Sequence, residues 1–408
     1  RNIVYQFLYE LLIVFIPLFT IPYVSRVLGA ENIGLFSYTY AVANYFVLFA
    51  NLGIKNYGSR TIAMVRNNKE ELNRNFSEIL SIHIIFSIIV IFVYLVLLFF
   101  FVEDNLVIFL IQSIYVFAAV FDINWYFFGI EKFKLTVGRN TLVKILSVFL
   151  VLVFVKTQTD LWIYALILAL SVFVGQSVVW FALKQYVSWR RPSWANMKQH
   201  IRPLFVLFLP ILALSLYKYM DKIMLGSISS NVQVGFYENA EKIINVPMSL
   251  IMAFGVVLMP RIANMVTSKD KGEVFKLIDM SMEAVMLLAI AISFGLAGIS
   301  FVLAPIFFGY EFEECGILIM GLAVTVPFMA FANVIRTQYL IPYKEDKIFV
   351  VSLFLGAAVN LIVNIILIPY MAARGAVIGT IFAEIIVCIY QSYFVRKKIF
   401  IKKYLLNT

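Results

Sequence analysis

Long apolar stretches alternate with short charged stretches along this chain of 408 residues. Most of the apolar stretches approach or exceed the roughly 20 residues that an α-helix needs to cross the hydrocarbon core of a bilayer. Helices are expected because they satisfy backbone hydrogen bonds within one segment. The pattern predicts twelve spanning helices, the first of them a true span and not a cleaved signal, at residues 7–28, 33–53, 78–102, 106–127, 141–156, 161–183, 203–226, 233–260, 277–303, 315–336, 347–368 and 375–395.

Basic residues outside these spans are distributed unevenly. If the amino end is cytoplasmic and the spans alternate in direction, the inner loops hold 23 Lys and Arg residues. The outer loops then hold Lys156 and Arg374. Because basic loops resist translocation, this asymmetry predicts that both termini lie in the cytoplasm.

The composition agrees with a polytopic membrane protein. Hydrophobic residues make up 62% of the chain and charged residues 14%, against about 45–50% and about 25% in soluble domains. The net charge is +10, and most of the basic residues lie in the predicted inner loops. This distribution favours attraction to anionic membrane lipids and not nucleic-acid binding. The motifs of nucleotide-binding loops, zinc sites and hydrolases are missing from the sequence, so we predict neither an enzyme nor a cofactor.

The first and seventh predicted spans resemble each other. Residues 15–18 (FIPL) align with 208–211 (FLPI), and residues 33–36 (IGLF) align with 234–237 (VGFY). Chance similarity between apolar stretches is the alternative interpretation. A parallel repeat predicts two six-helix bundles, residues 1–200 and 201–408, related by a pseudo-two-fold axis along the membrane normal.

Two glycines one turn apart, Gly375 and Gly379, open the twelfth predicted span. Small residues with this spacing let two helix backbones approach closely inside a membrane. The pair therefore predicts a close helix crossing, which is a packing feature and not an activity.

Ionisable residues inside membrane spans indicate function, because each costs at least ~2.5–3.5 kcal/mol to insert. The seventh and eighth spans hold six of them: Lys218, Asp221, Lys222, Glu238, Glu241 and Lys242. Their helical spacing places each group of three on one face. Two interpretations remain open, a water-filled cavity and a structural salt-bridge cluster with the pairs Lys218–Asp221 and Glu238–Lys242. Leftover carboxylates are candidates for taking up H⁺ or Na⁺.

Several segments resemble the bacterial polysaccharide repeat-unit flippases (Wzx type) of the multidrug/oligosaccharidyl-lipid/polysaccharide exporter superfamily. The similarity covers nearly the whole chain. The segments that carry it are 17–34 (PLFTIPYVSRVLGAENIG), 51–60 (NLGIKNYGSR), 125–133 (WYFFGIEKF), 221–226 (DKIMLG), 234–242 (VGFYENAEK) and 360–369 (NLIVNIILIP).

This resemblance implies two six-helix bundles around a cationic cavity in the bacterial cytoplasmic membrane. It also implies that the substrate is an oligosaccharide unit linked to undecaprenyl diphosphate, destined for capsule, O-antigen or a related polymer. Arginine offers paired donors to a diphosphate and lysine a point charge. The implied cavity cations are Arg26, Lys218, Lys222, Lys242 and Arg261, and the implied polar or coupling partners are Asp221, Glu238 and Glu241.

Two other functions are compatible with a polytopic chain. A cation-coupled drug exporter of the same superfamily needs a cavity of net negative character, whereas the charges here are mixed to positive. A membrane glycan polymerase usually carries a large outer loop with catalytic residues, and the longest outer loop predicted here has about ten residues. A flippase is therefore the first expectation, and the oligomeric state stays open.

Overall fold

The structure, a computed structural model, describes residues 2–267 and 271–396. Within these ranges the chain folds as α-helices joined by short loops, which confirms the predicted all-α class. The helices are α1 (Asn2–Asn51), α2 (Ile54–Val65), α3 (Lys69–Phe101), α4 (Leu106–Val120), α5 (Asn124–Gly129), α6 (Phe133–Phe154), α7 (Leu161–Leu183), α8 (Trp194–Ile228), α9 (Asn231–Thr267), α10 (Lys271–Phe308), α11 (Cys315–Ala323), α12 (Thr325–Val334), α13 (Asp346–Met371) and α14 (Ala373–Val395). A π-helical segment, Ile335–Leu340, extends α12.

Ten helical segments of the described residues are long and apolar enough to cross a membrane. The first two predicted spans lie in α1, which consists of two helices that meet at Gly29, where φ is 76° and ψ is 171°, outside the helical range. Only glycine adopts this backbone conformation readily, so the chain turns there without a loop. The fifth predicted span coincides with α6, which is not among the ten. A multi-pass helical fold is confirmed, while the count of twelve and the orientation of the termini stay predictions.

The chain divides into two compact units. Unit 1 comprises residues 1–32 and 36–215, and unit 2 comprises residues 33–35 and 216–408. The division falls inside α8, because this helix continues from Trp194 to Ile228.

The centre of unit 1 is aromatic. Trp125 and Tyr126 on α5 are almost completely buried beside Phe76 on α3. The rings of Phe76 and Trp125 stack with centroids 5.5 Å apart. Lipid tails are as apolar as these side chains, so close van der Waals packing is what stabilises such a centre inside a membrane.

In unit 2, α13 and α14 form a tightly packed hairpin joined at Ala372. A Cβ atom added to Gly375 would lie 2.7 Å from the backbone carbonyl carbon of Leu367 on α13, closer than real contacts allow. The predicted close crossing is therefore confirmed, with α13 as the partner helix. This approach brings the polar residues of α13 next to those of α14.

Candidate substrate and coupling site

Four helices of unit 2 bring polar side chains together inside the apolar bundle. These are Asp221 and Lys222 on α8; Tyr237, Glu238, Glu241 and Lys242 on α9; Asn360 and Asn364 on α13; and Thr380 on α14. Successive residues of an α-helix point about 100° apart. Asp221 and Lys222 therefore face different neighbours, and each belongs to a separate cluster.

Lys222 is the centre of the ion-pair cluster, defined as Lys222, Glu238, Glu241 and Lys242. Its Nζ atom lies 2.6 Å from Glu238 Oε2 and 2.8 Å from Glu241 Oε2. The Nζ atom of Lys242 lies 3.1 Å from Glu238 Oε1. The cluster holds two ammonium groups and two carboxylates, so its formal charges balance.

Burial determines how strongly these charges depend on each other. The side chain of Lys222 is 9% exposed and that of Glu238 is 14% exposed. Charges removed from water need compensation, and taking away one partner leaves the other buried and unpaired. The ion-pair cluster therefore matches the structural interpretation of the sequence pattern for four of the proposed residues, and the predicted Glu238–Lys242 pair is present.

Asp221 is the centre of a second, differently composed cluster. Its Oδ1 atom accepts a hydrogen bond from Asn364 Nδ2 at 2.6 Å. Its Oδ2 atom accepts from the Tyr237 hydroxyl at 2.6 Å and from the Thr380 hydroxyl at 3.0 Å. Asn364 Nδ2 also donates to Asn360 Oδ1 at 3.0 Å. We call these five residues the Asp221 cluster.

All of these partners of the Asp221 carboxylate are neutral. Asp221 is only 4% exposed, and its described hydrogen bonds come from an amide and two hydroxyl groups. Helical spacing predicted Lys218 as the ion-pair partner of Asp221. Lys218 is instead exposed, and its ammonium lies 5.3 Å from the ring centre of Tyr219. Among the residues that the structure describes, the carboxylate is thus stabilised by hydrogen bonds and forms no direct ion pair.

The sequence pattern does not predict Asn360, Asn364, Tyr237 or Thr380 as site residues. Thr380 lies 159 residues from Asp221 in the chain and Asn364 lies 143 residues away. Helical periodicity gives no information on such distant pairs. The available signal was a pair of asparagines with i, i+4 spacing in an otherwise apolar span, because buried amides in a membrane require partners.

The remaining predicted cavity cations are exposed. Arg26 on α1 belongs to unit 1, while Lys218 on α8 and Arg261 on α9 belong to unit 2. Arg261 follows Lys242 by 19 residues on one helix, or roughly 28 Å at 1.5 Å per residue. The structure therefore does not bring Arg261 to the ion-pair cluster, although both lie on α9.

Known proteins with similar sequences are transporters. A protein of Shigella dysenteriae described as an O-antigen transporter is 24% identical over 406 residues, which covers 96% of this chain and 98% of that protein. The relatives are transporters and flippases, not enzymes, which agrees with the prediction made from the sequence.

Two solved structures have the same fold. A lipid II flippase MurJ in an inward closed conformation superposes with a TM-score of 0.75 at 16% identity, covering 99% of this chain and 89% of that one. An inward-facing multidrug resistance MATE family transporter of the MOP superfamily superposes with a TM-score of 0.71 at 14% identity, covering 96% and 97%.

The family is shown by a match over most of the chain. The model of a family described as polysaccharide biosynthesis protein matches residues 1–266. This range includes the segments at 17–34, 51–60, 125–133, 221–226 and 234–242 in which the resemblance was found. The chain belongs to the polysaccharide biosynthesis protein family and has the fold of the MOP exporter superfamily.

Proposed function

We propose that this protein is a flippase of the bacterial cytoplasmic membrane. It moves an oligosaccharide repeat unit linked to undecaprenyl diphosphate from the cytoplasmic to the outer leaflet, for synthesis of a surface polysaccharide such as O-antigen or capsule. The observation that carries the proposal is similarity to an O-antigen transporter along 96% of this chain. Movement of a large anionic headgroup through a bilayer requires buried or cavity-facing cations, which this chain has.

The exposed cations Arg26, Lys218 and Arg261 contact the diphosphate at successive points of its path, because Arg261 lies roughly 28 Å along α9 from the ion-pair cluster. Lys222 and Lys242 already face carboxylates at 2.6–3.1 Å, so their charges are less available to a ligand. Their role is to hold α8 and α9 together and thereby position Lys218. Guanidinium groups give bidentate hydrogen bonds to phosphate oxygens, which makes the two arginines the main anchors.

The Asp221 cluster takes up the coupling ion, H⁺ or Na⁺. A buried carboxylate without a direct ion pair is unstable in a membrane unless a proton or cation neutralises it. The donor set fits a hard cation, because the Asp221 carboxylate, Asn360 Oδ1 and the Thr380 and Tyr237 hydroxyl groups are all oxygen ligands. Glu238 and Glu241 are weaker candidates, since Lys222 and Lys242 neutralise them.

Transport proceeds by alternating access, in which the protein opens to one side of the membrane at a time. Residues 1–200 and 201–408 act as the two halves of the transporter. One chain is sufficient for the transport cycle. Occupation of the Asp221 cluster biases the equilibrium between the two states, because an ion shifts a conformational equilibrium only through different affinities for its end states.

The function is tested by transbilayer movement in liposomes. The purified chain is reconstituted, and the movement of a fluorescent undecaprenyl-diphosphate sugar is followed by a membrane-impermeant quencher. We compare wild type with Arg26→Gln, Lys218→Gln and Arg261→Gln. Arg74→Gln removes another exposed cation, on α3 and outside the proposed site, and is the matched control.

Protein-dependent movement that falls at least about tenfold in the site variants and not in Arg74→Gln is the expected result, since a lost charge-assisted hydrogen bond costs about 1.5–3 kcal/mol. Movement that is unchanged in all variants leaves the function in place and overturns the site. A wild-type protein that ignores the lipid and moves a hydrophobic cation is instead a drug exporter.

A further inference from the structure

The segment that connects α7 to α8 is unusually basic. Residues 184–202 contain Lys184, Arg190, Arg191, Lys198 and Arg202, and the chain has no Asp or Glu between Asp160 and Asp221. The segment begins directly after the candidate span that ends at Leu183 and runs into the one that begins at Trp194. It therefore borders the surface of the bilayer.

Hydrogen bonds to α3 hold one side of this segment in place. The backbone N–H groups of Ser188 and Arg190 donate to Asn73 Oδ1 at 3.0 Å and to Ser77 Oγ at 2.9 Å. The acceptors are one helical turn apart, so α3 holds two alternate residues of the loop along one face.

A buried group fixes the beginning of α8 to the same helix. Glu78 accepts from Asn196 Nδ2 at 3.0 Å, and its other oxygen lies 2.9 Å from His200 Nε2. Nδ1 of His200 lies 2.6 Å from the Tyr57 hydroxyl on α2. Glu78 and His200 are 1% and 2% exposed, so these contacts are stable features of unit 1 and define which side of the segment faces outward.

The outward side combines tryptophan with uncompensated positive charge. Trp189 and Trp194 are 54% and 61% exposed, although the chain has only five tryptophans. Four exposed basic side chains lie between and around them, and none of these four makes an ion pair within the described part of the chain. They are Lys184, Arg190, Arg191 and Lys198.

We propose that this outward side, the 184–198 surface, is a binding site for the headgroups of anionic phospholipids in the leaflet that it borders. Tryptophan side chains favour the level of the headgroups, because the ring has an apolar body and a polar N–H group. Arg190 and Arg191 bind phosphate oxygens through paired donors, and the lysines add point charges. Charge distribution predicts that this leaflet is the cytoplasmic one, where anionic lipids attract juxtamembrane basic residues.

Local geometry distinguishes this site from the general positive charge of the inner loops. The region 55–74 also holds five basic residues, but it includes Glu70 and Glu71 and lacks tryptophan, and Arg66 is paired with Glu131 at 2.5 Å. If charge alone retained anionic lipid, the two regions would contribute equally. The 184–198 surface is expected to contribute more, because it is fixed, rich in tryptophan and free of acidic residues.

The proposal is tested by titrating the purified full chain in mild detergent with phosphatidylglycerol or phosphatidylcholine and counting the retained lipids by native mass spectrometry. The test variant is Lys184→Gln/Arg190→Gln/Arg191→Gln/Lys198→Gln. The control variant, Lys55→Gln/Arg60→Gln/Lys69→Gln/Arg74→Gln, loses the same charge from exposed positions of the other basic region. Size-exclusion profile and helicity verify that both variants are folded, since the hydrogen-bonding atoms of the loop backbone and of Glu78 are unchanged.

Wild type is expected to retain phosphatidylglycerol in preference to phosphatidylcholine. The test variant should bind phosphatidylglycerol at least about tenfold more weakly, because losing a single charge-assisted hydrogen bond to a phosphate oxygen corresponds to about a tenfold change. The control variant should change by less than about twofold. Trp189→Ala/Trp194→Ala should weaken retention severalfold without any change in charge. Equal losses in the two charge variants, or no preference for phosphatidylglycerol in wild type, overturn the site.

Discussion

Asp221 and Lys222 are neighbours in the chain, but their environments give them different roles. Lys222 faces two carboxylates at 2.6 and 2.8 Å and is electrostatically satisfied. Asp221 is held by an amide and two hydroxyl groups, which orient the carboxylate without neutralising it. The ion pairs of Lys222 keep its charge state fixed, whereas the hydrogen-bonded carboxylate of Asp221 is suited to gain and lose a proton or cation. Neighbouring positions of α8 thus serve a structural ion pair and, in the proposed mechanism, the coupling ion.

Replacing Lys222 with Met should destabilise the protein by about 3–5 kcal/mol, because Glu241 loses its cation while it remains inside the bundle. Thermal unfolding in detergent, followed by helicity, measures the loss. In Lys222→Met/Glu241→Gln the charges balance again, since Glu238 keeps Lys242 as its partner. Most of the lost stability should return in this double variant.

The exposed pair Arg374–Glu314 provides the control for that experiment. Its atoms lie 3.1 Å apart, and the side chains are 50% and 47% exposed. Arg374→Met should therefore cost less than about 1 kcal/mol. If Arg374→Met and Lys222→Met are equally destabilising, burial does not set the strength of the ion-pair cluster.

Asp221→Asn should abolish the response of transport to an ion gradient while leaving the fold intact. Asparagine has nearly the shape of aspartate, but it has no charge that a proton or Na⁺ could neutralise. Lipid movement in liposomes is measured with imposed H⁺ and Na⁺ gradients, one at a time, to identify the ion. Asp104→Asn changes an exposed carboxylate between α3 and α4 and should respond like wild type. Full gradient dependence in Asp221→Asn would exclude this cluster as the coupling site.

At the scale of elements, the α13–α14 hairpin connects packing to the Asp221 cluster. Gly375 lies against the backbone of α13, whereas a Cβ atom on Gly379 would overlap the side-chain oxygen of Asn364. A backbone cannot move aside easily, but an amide side chain can rotate. Gly375 therefore permits the close helix crossing, whereas Gly379 leaves room for the orientation of Asn364.

Gly375→Ala is expected to destabilise the protein by about 1–3 kcal/mol, the usual range for inserting a methyl group into a filled contact. Gly379→Ala should cost less stability but weaken gradient-driven transport, because Asn364 must turn away from Asp221. Gly138→Ala on α6 meets no atom within 4 Å and is the neutral control. Unfolding temperature and transport rate are measured for all three. Identical effects of Gly375→Ala and Gly379→Ala on both readouts would contradict the separation of roles.

Elements could be predicted from the sequence where one physical rule dominates. Apolar length alone predicted a multi-pass helical fold, and the Gly375/Gly379 spacing indicated a close crossing. The predicted break between the first two spans coincides with Gly29, where the backbone leaves the helical conformation. The π-helical segment Ile335–Leu340 has no signal in the periodicity of the sequence.

The same limit applies to the candidate site. Glu238 and Lys242 are four residues apart, so helical spacing predicted their contact. Helical spacing also predicted an ion pair between Lys218 and Asp221. Instead, Asn364 and Thr380 from helices distant in sequence donate hydrogen bonds to the Asp221 carboxylate. Contacts within one helix follow from local geometry, whereas contacts between helices depend on how the whole bundle packs.

For the whole molecule, the orientation in the membrane depends on whether α6 crosses it. The predicted alternation places residues 128–140 inside and residues 157–160 outside. α6 has 22 residues, or about 33 Å at 1.5 Å per residue, which is enough for one crossing. Lys144 near its middle is long enough to extend its ammonium toward an interface. If α6 did not cross, every loop after it would exchange sides, and the basic loops would no longer share one side.

We therefore expect α6 to cross, and single cysteines on either side of it test this. In a Cys315→Ser/Cys388→Ser background, Thr159→Cys should react with a membrane-impermeant maleimide added to intact cells, and Lys132→Cys should react only after the cells are opened. Gln185→Cys, which follows α7, should behave like Lys132→Cys and report that alternation continues into the loop before α8. Reaction of Lys132→Cys and Thr159→Cys from the same side would remove α6 from the spans. It would also place the 184–198 surface on the outer face and contradict the orientation inferred from the distribution of basic residues.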